Sequence, residues 1–113
     1  MILGVNKPEG ITSHDVINRI RKITGEKRVG HGGTLDPLAS GVLVVGIGRD
    51  STKKLQSILK DTEKEYIATI ELGKTSSTGD REGEIKEHST DSEISQIKEI
   101  DVRKTLEQFE GDI

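Results

Sequence analysis

A single acid, Asp36, stands in the glycine-rich stretch RVGHGGTLDPLASGVLVVGIG, which runs from Arg28 to Gly48. At neutral pH an aspartate is an anion, because its ordinary pKa is about 3.9, and it can act as a nucleophile or a general base. Pro37 favours an extended backbone at Asp36. Two interpretations stay open. Either this is an Asp-Pro turn without chemistry, or a carboxylate is presented to a substrate in a polar loop that its glycines leave accessible to a ligand.

Other chemistries fit the sequence less well. The three histidines (His14, His31 and His88) lie far apart and show no metal-ligand spacing, and the chain has no cysteine. GHGGTLDP lacks the lysine and the Ser/Thr of a phosphate-binding P-loop. A phosphoryl-transfer aspartate is usually followed by a second acid two residues on, and that position is Leu38. We therefore predict no metal site.

Composition and charge limit the class of protein. The 113 residues are 30% hydrophobic and 2% aromatic, so one small domain with a thin core is expected. No apolar run reaches the length of a membrane span, and the N-terminus does not resemble a signal peptide, which predicts a soluble cytoplasmic protein. Residues 1–60 carry ten Lys or Arg against five Asp or Glu, whereas residues 61–113 carry seven against fifteen. The basic half is suited to meet phosphates.

Hydrophobic patterns predict the strands. Short apolar runs predict buried strands at MILGV and GVLVVGIG, and a short strand is expected around Glu84 to Glu87. The clearest strand is KEYIATIELG, in which one face carries Tyr66, Ala68, Ile70 and Leu72. Tyr66 is the only tyrosine. It suits either the core or a platform on which a base stacks, worth about 1–3 kcal/mol per base.

Three helices are expected. The first is capped by Thr12 or Ser13 and ends at Gly25, and its inward positions are Val16, Ile17, Ile20 and Ile23. The second is STKKLQSILKD, with Leu55, Ile58 and Leu59 inward. The last is capped by Asp101 and closed by Gly111, with Val102, Leu106 and Phe109 inward. The polar stretch from Ser89 to Glu99 predicts a mobile loop. Because strands and helices alternate irregularly, the fold class is α+β.

Four ordered blocks resemble the tRNA pseudouridine-55 synthase family: GVNKPEGITSHDV, RVGHGGTLDPLASGVLVVGIG, KEYIATIELGKTSSTGDREGEI and LEQFEGDI. The resemblance covers nearly the whole chain. It implies a mixed, largely antiparallel sheet with flanking helices, and an isomerase that converts uridine to pseudouridine at position 55 in the T loop of tRNA. It also implies no cofactor, the tRNA T stem-loop as partner, no membrane, and a monomer at full length.

The same resemblance implies roles for individual residues. Asp36 matches the catalytic aspartate, which acts on a flipped-out nucleoside, and Tyr66 matches the tyrosine that stacks on its uracil. Whether the aspartate attacks C1′, attacks C6 or removes a ribose proton stays open. The expected RNA-binding or site-supporting residues are His31, Asp80, Lys64, Arg28 and Lys7.

The resemblance also implies that residues 1–113 are the N-terminal portion of a catalytic domain. The remainder, with a basic residue that pairs with the aspartate, and a C-terminal RNA-binding domain would then be absent. Two other interpretations stay open: a catalytically inactive RNA-binding fragment, and a guide-RNA-dependent synthase of the dyskerin type. A small phosphate-binding domain, which would bind nucleotide without RNA, is a third.

Overall fold

The computed structural model describes residues 1–112 and divides the chain into two compact units, Met1–Glu65 and Tyr66–Ile113. The first unit contains β1 (Ile2–Lys7), α1 (Ser13–Thr24), β2 (Val29–Gly32), β3 (Gly41–Ile47) and α2 (Arg49–Lys60). The second contains β4 (Lys74–Ser76), β5 (Ile85–Glu87), α3 (Asp91–Ser95) and α4 (Glu99–Glu107). Every strand pair is antiparallel, which confirms the α+β class. None of the helices in residues 1–112 is long and apolar enough to span a membrane.

The first unit is built around the central strand β3. Its sheet has the order β1-β3-β2, with Leu3 and His31 both opposite Val45. Side chains on a strand alternate between faces, so Leu43 and Val45 share one face, and both are fully buried. Helix α1 covers this face with Val16 and Ile17. The core is therefore a thin aliphatic layer between one helix and one sheet face.

Helix α1 begins and ends at residues that its local sequence determines. Thr12 is the N-cap: its hydroxyl accepts from the N–H of Asp15, and the Asp15 carboxylate accepts from the N–H of Thr12. Gly25 ends the helix in the left-handed conformation, with φ of 71°. One inward position is wrong: Ile23 is 83% exposed, whereas Ile20 packs against the core.

Helix α2 packs on the opposite face of the sheet, where it contacts Gly30, Gly32 and Gly46. A Cβ at Gly46 would lie 3.0 Å from the backbone carbon of Ser51, and one at Gly32 would overlap the Leu59 side chain. The missing side chains let the helix approach the sheet closely. Leu55 is buried and Leu59 half-buried, whereas Ile58, also expected inward, is 42% exposed.

The second unit departs from the predicted elements. The strand expected at KEYIATIELG is absent: residues 62–71 have no regular structure, and Tyr66, Ile67 and Ile70 are 74%, 95% and 71% exposed. A strand needs a neighbour for its backbone hydrogen bonds, and among the described residues none pairs with this segment. The short strand near Glu84 to Glu87 is confirmed as β5, paired with β4.

The last part of the chain is more helical than expected. Residues 91–95 form α3, capped by Thr90, where a mobile loop was predicted. Helix α4 begins three residues too early for Asp101 to be its cap, so Asp101 is instead at the third helical position, where its carboxylate accepts from the N–H of Lys98. Helix α4 ends at Glu107, before Gly111. Leu106 and Phe109 were predicted to face inward, but they are 52% and 80% exposed, and no described residue of this unit is buried.

The close contact between β3 and α2 predicts a difference between two glycines. We expect Gly46→Ala to lower the free energy of unfolding by about 1–3 kcal/mol, because its Cβ meets helix backbone that cannot move aside. Gly4→Ala is the matched control: its Cβ would lie 3.5 Å from the Val42 side chain, an ordinary contact. Urea denaturation followed by far-ultraviolet circular dichroism compares them. Equal midpoints for the two variants would contradict this account.

Candidate active site

The loop that carries Asp36 is fixed on its N-terminal side by Ser13. The Ser13 hydroxyl donates to the carbonyl oxygen of Leu35 at 3.0 Å, and the N–H of Leu35 donates back to the same hydroxyl oxygen at 3.0 Å. Ser13 is 3% exposed, so these bonds are largely shielded from water. Since Thr12 caps α1, the Ser13 hydroxyl is free to bind the loop.

The loop is fixed on its C-terminal side by Lys7 and Gly10. The N–H of Gly10 donates to the carbonyl oxygen of Pro37 at 2.8 Å. The Lys7 ammonium group is fully buried and donates to the carbonyl oxygens of Pro8, Ile11 and Pro37, at 2.9, 2.7 and 3.5 Å. We expected Lys7 to support the site or to bind RNA. Its burial leaves it no access to a phosphate, and its contacts are those of a positioning residue.

Asp36 itself lies at the first position of a turn and is exposed. The N–H of Ala39 donates to the carbonyl oxygen of Asp36 at 3.0 Å, with Pro37 at the second position, where its fixed φ favours a turn. The Asp36 carboxylate forms no hydrogen bond or ion pair with residues 1–112. The structure thus contains the Asp-Pro turn, and the carboxylate in this turn is exposed.

His31 and Arg28 lie on the strand that leads to this loop. RVGHGG was expected to be a loop open to a ligand, but residues 29–32 form β2, and Gly30 and Gly32 leave room for α2 rather than for a ligand. Gly33, with φ of 67°, ends the strand. His31 is half-buried on the face of Val29 and Val45, and its Nδ1 atom is buried without a hydrogen-bond partner among the described residues. Arg28 is exposed.

The remaining candidates are exposed. Lys64 lies near the end of the first unit. Tyr66 opens the second unit and exposes 74% of its surface, so its ring is not part of a core. Asp80 lies in the turn between β4 and β5, where its carboxylate accepts from the Thr78 hydroxyl at 2.6 Å and from the N–H of Glu82 at 2.9 Å. These donors lower the pKa of Asp80 below its usual value, because they stabilise the charged form.

Comparison with known proteins places the chain in a family. Residues 21–113 match the TruB family pseudouridylate synthase, N terminal domain. The chain belongs to this family. It is 46% identical over 109 residues to the tRNA pseudouridine synthase B of Corynebacterium diphtheriae, covering 96% of this chain and 36% of that protein. It is 56% identical over 86 residues to the tRNA pseudouridine synthase B of Mycobacterium sp. strain KMS, covering 76% and 28%. The chain thus spans about a third of the length of these curated relatives.

A solved structure also matches part of this pseudouridylate synthase domain. It is described as the structure of an H/ACA RNP bound to a substrate RNA containing 2′-deoxyuridine. The match has 45% sequence identity and a TM-score of 0.48, and it covers 51% of this chain and 18% of that chain. Within residues 1–112 of the pseudouridylate synthase domain, no group of three or more acidic or histidine side chains is placed to hold a metal ion.

Sequence reasoning missed two residues that shape the site of this family member. Ser13 was considered only as a helix cap, and Gly10 was not considered as a site residue. A signal for Ser13 was present: Asp15 is three residues after Thr12, which completes a capping box with Thr12 and leaves the neighbouring hydroxyl unused. No local signal indicates that Gly10 donates to Pro37, because that bond depends on where the two segments meet.

Removal of the Ser13 hydroxyl is expected to loosen the Asp36 loop. Ser13→Ala leaves a shielded N–H and a carbonyl of Leu35 unpaired, which costs about 1–3 kcal/mol of stability. Amide hydrogen exchange of Leu35 should become faster. Ser57→Ala is the matched control, because the Ser57 hydroxyl bonds only to its own helix, at the carbonyl of Lys54. Unchanged protection of the Leu35 amide in Ser13→Ala would show that the loop is held by other contacts.

The hydrogen bond from Thr78 predicts the titration of Asp80. Thr78→Val should raise the pKa of Asp80 towards its usual value, whereas Thr75→Val should not, because the Thr75 hydroxyl pairs with His88. A carboxyl whose pKa is lowered by folding stabilises the turn above its unfolded pKa, about 3.9, and this stabilisation is lost as pH falls through the folded pKa. Carboxyl-carbon NMR titration measures both variants. Equal pKa values would rule out the hydroxyl as the cause.

Proposed function

We propose that this chain carries the catalytic aspartate, Asp36, of an isomerase that converts uridine 55 in the T loop of tRNA to pseudouridine. The observation that carries the proposal is the geometry of Asp36: its carboxylate is exposed, while Leu35 and Pro37 on either side are hydrogen-bonded to residues 7–13. A group held in place yet open to solvent can meet a substrate without first being ordered. The family and the names of its relatives support the substrate class.

The proposed reaction needs a positioned carboxylate and no external reagent. The bond between ribose C1′ and uracil N1 breaks, the base turns, and C1′ bonds to C5. The C5 proton leaves and N1 gains a proton, so the product is an isomer of the substrate. Asp36 acts on the nucleoside, by attack at C1′ or C6 or by removal of a ribose proton. Because bulk water competes with such chemistry, we expect bound RNA to cover the exposed carboxylate.

The target base must leave its stacked position, which costs a few kcal/mol. We propose that the exposed ring of Tyr66 stacks on the extruded uracil and offsets part of this cost. Arg28 and Lys64, both exposed, are proposed to contact phosphates. His31 and Asp80 are proposed to shape the site, His31 beside the space that the base leaves and Asp80 by ordering its own turn. Lys7 is proposed to act only through the loop that it holds.

Tritium release from tRNA labelled at uracil C5 tests the proposal. It is measured for this chain and for a chimera in which the chain replaces the matching segment of the Corynebacterium diphtheriae relative. We expect Asp36→Asn to slow release by the chimera at least about 100-fold, the lower end of what one acid or base contributes. Asp50→Asn is the matched control, since Asp50 is also exposed but lies in the first turn of α2. Sequencing of the product locates the modified uridine.

Each alternative has its own outcome. Equal rates for Asp36→Asn and Asp50→Asn would contradict the catalytic role of Asp36. A chimera that binds tRNA but releases no tritium, while the parent relative does, would favour a non-catalytic RNA-binding protein. Release that requires an added guide RNA would favour the dyskerin type. Binding of free nucleotide without RNA would favour a phosphate-binding domain.

A further inference from the structure

Helix α2 carries a row of polar side chains along one flank. Arg49, Lys53, Gln56 and Lys60 follow one another at spacings of four, three and four residues, which places them on the same side of a helix. All four are exposed. The side of α2 that packs on the sheet is different, since it contains Leu55 and Leu59. From Arg49 to Lys60 the row extends about 16 Å along the helix axis.

The edge strand β2 runs beside this flank in the same direction as α2. Its start lies at the start of the helix, because the N–H of Gly48 donates to the carbonyl oxygen of Arg28 at 2.7 Å. Its end lies near the last turn of the helix, where Gly32 faces Leu59. The backbone of Arg28 therefore lies next to Gly48, the residue before the first cation of the row.

A cavity opens at the far end of the row. It has a volume of about 510 Å³, and residues of α2 and of the end of β2 line it: His31, Gly32, Gly33, Leu55, Gln56, Leu59 and Lys60. Gln56 and Lys60 belong both to the row and to the cavity wall. His31 and Gly33 lie directly before the loop that presents Asp36. The row thus leads from Arg28 and Arg49 towards the candidate active site.

The cations of this row are not neutralised by the fold. Among residues 1–112, Arg28, Arg49, Lys53 and Lys60 form no salt bridge. The acids nearest in sequence are Glu26, whose carboxylate accepts from the N–H of Arg28, then Asp50, and Asp61, which directly follows Lys60 at the end of α2. Asp50 follows Arg49 by one residue and so points about 100° away around the helix. Positive charge therefore predominates along the flank.

We propose that Arg28, Arg49, Lys53 and Lys60 form a track that binds successive phosphates of RNA and leads the strand to the cavity at Gly32. The proposal rests on the proposed function for the identity of the ligand. Arginine, lysine and glutamine are side chains that contact phosphate. A protein partner fits less well, because protein interfaces have aromatic and apolar cores and few lysines, and the exposed row has no aromatic or aliphatic member.

The test compares two triple variants of the 113-residue chain with the same change in net charge. Arg49→Gln/Lys53→Gln/Lys60→Gln removes cations from the track. The control, Arg19→Gln/Lys22→Gln/Lys54→Gln, removes exposed cations elsewhere in the same unit. Affinity for a T-arm RNA hairpin is measured against salt concentration for both variants and the parent chain. Thermal unfolding verifies that both variants remain folded.

We expect the track variant to reduce the slope of log affinity against log salt by about 2–3, since each lost phosphate contact contributes about 0.7–0.9. The control variant should reduce this slope by less than about 1, because its lost cations make no phosphate contact and change only the overall charge of the unit. Equal reductions in the two variants, or none in either, would overturn the proposal. A track variant that loses binding to an acidic peptide but keeps its RNA slope would also overturn it, in favour of a protein partner.

A second hairpin separates this inference from the proposed function. In it, the target uridine is replaced by cytidine. Phosphate contacts do not distinguish bases, so the track variant should lose the same slope on both hairpins. The same loss on both, together with an Asp36→Asn chimera that stays active, would support the track while contradicting the catalytic proposal. If the track variant lost slope only on the uridine hairpin, the proposal would be overturned, because the three cations would then recognise the target base rather than phosphates.

Discussion

The candidate site depends on one buried ammonium group. Removal of a lysine from water costs several kcal/mol unless its donors are satisfied, and Lys7 satisfies its donors with three backbone carbonyls. Two of the carbonyls belong to the segment before α1, and the third belongs to Pro37, next to the exposed acid. Because β1 is paired along its length with β3, the position of Lys7 is fixed by the sheet. Lys7 therefore links the Asp36 loop to the pairing of β1 with β3, beside the bonds that Ser13 and Gly10 make to the same loop.

The two faces of the first sheet serve different purposes. The aliphatic face buries Leu43 and Val45 against α1 and supplies most of the core. On the glycine face, the missing side chains allow α2 to pack closely on the sheet. The side of α2 that carries Arg49, Lys53 and Lys60 therefore lies next to the edge strand β2. The closely packed helix begins beside Arg28 and ends at the cavity near Gly32. Gly30 and Gly32, which were expected in a ligand loop, thus allow α2 to pack closely on β2.

The second unit shows the limits of a short apolar pattern. Alternation over residues 64–72 describes which side chains would pack on a neighbouring layer, but backbone pairing requires a second strand. Where the described chain supplies one, as for β4 and β5, a hairpin forms, and its turn is ordered by Asp80. Where it supplies none, Tyr66, Ile67 and Ile70 remain exposed. Thr90 caps the short helix α3, which contains no fully buried residue.

Apart from β2, which lies where a loop was expected, the sequence by itself determined the elements of the first unit, the turn at Asp36 and Pro37, and the family to which the chain belongs. Those features depend on caps, periodicity and turn residues that act within about four positions, or on motifs read in order. Only the tertiary structure decided that Lys7 points inward, that Ser13 binds Leu35, and that Gly46 is a contact for α2. Each of these contacts joins residues that are distant in sequence, such as Lys7 and Pro37. Whether such residues come into contact depends on the register of the strands and on how the helices pack on the sheet, which no local pattern specifies.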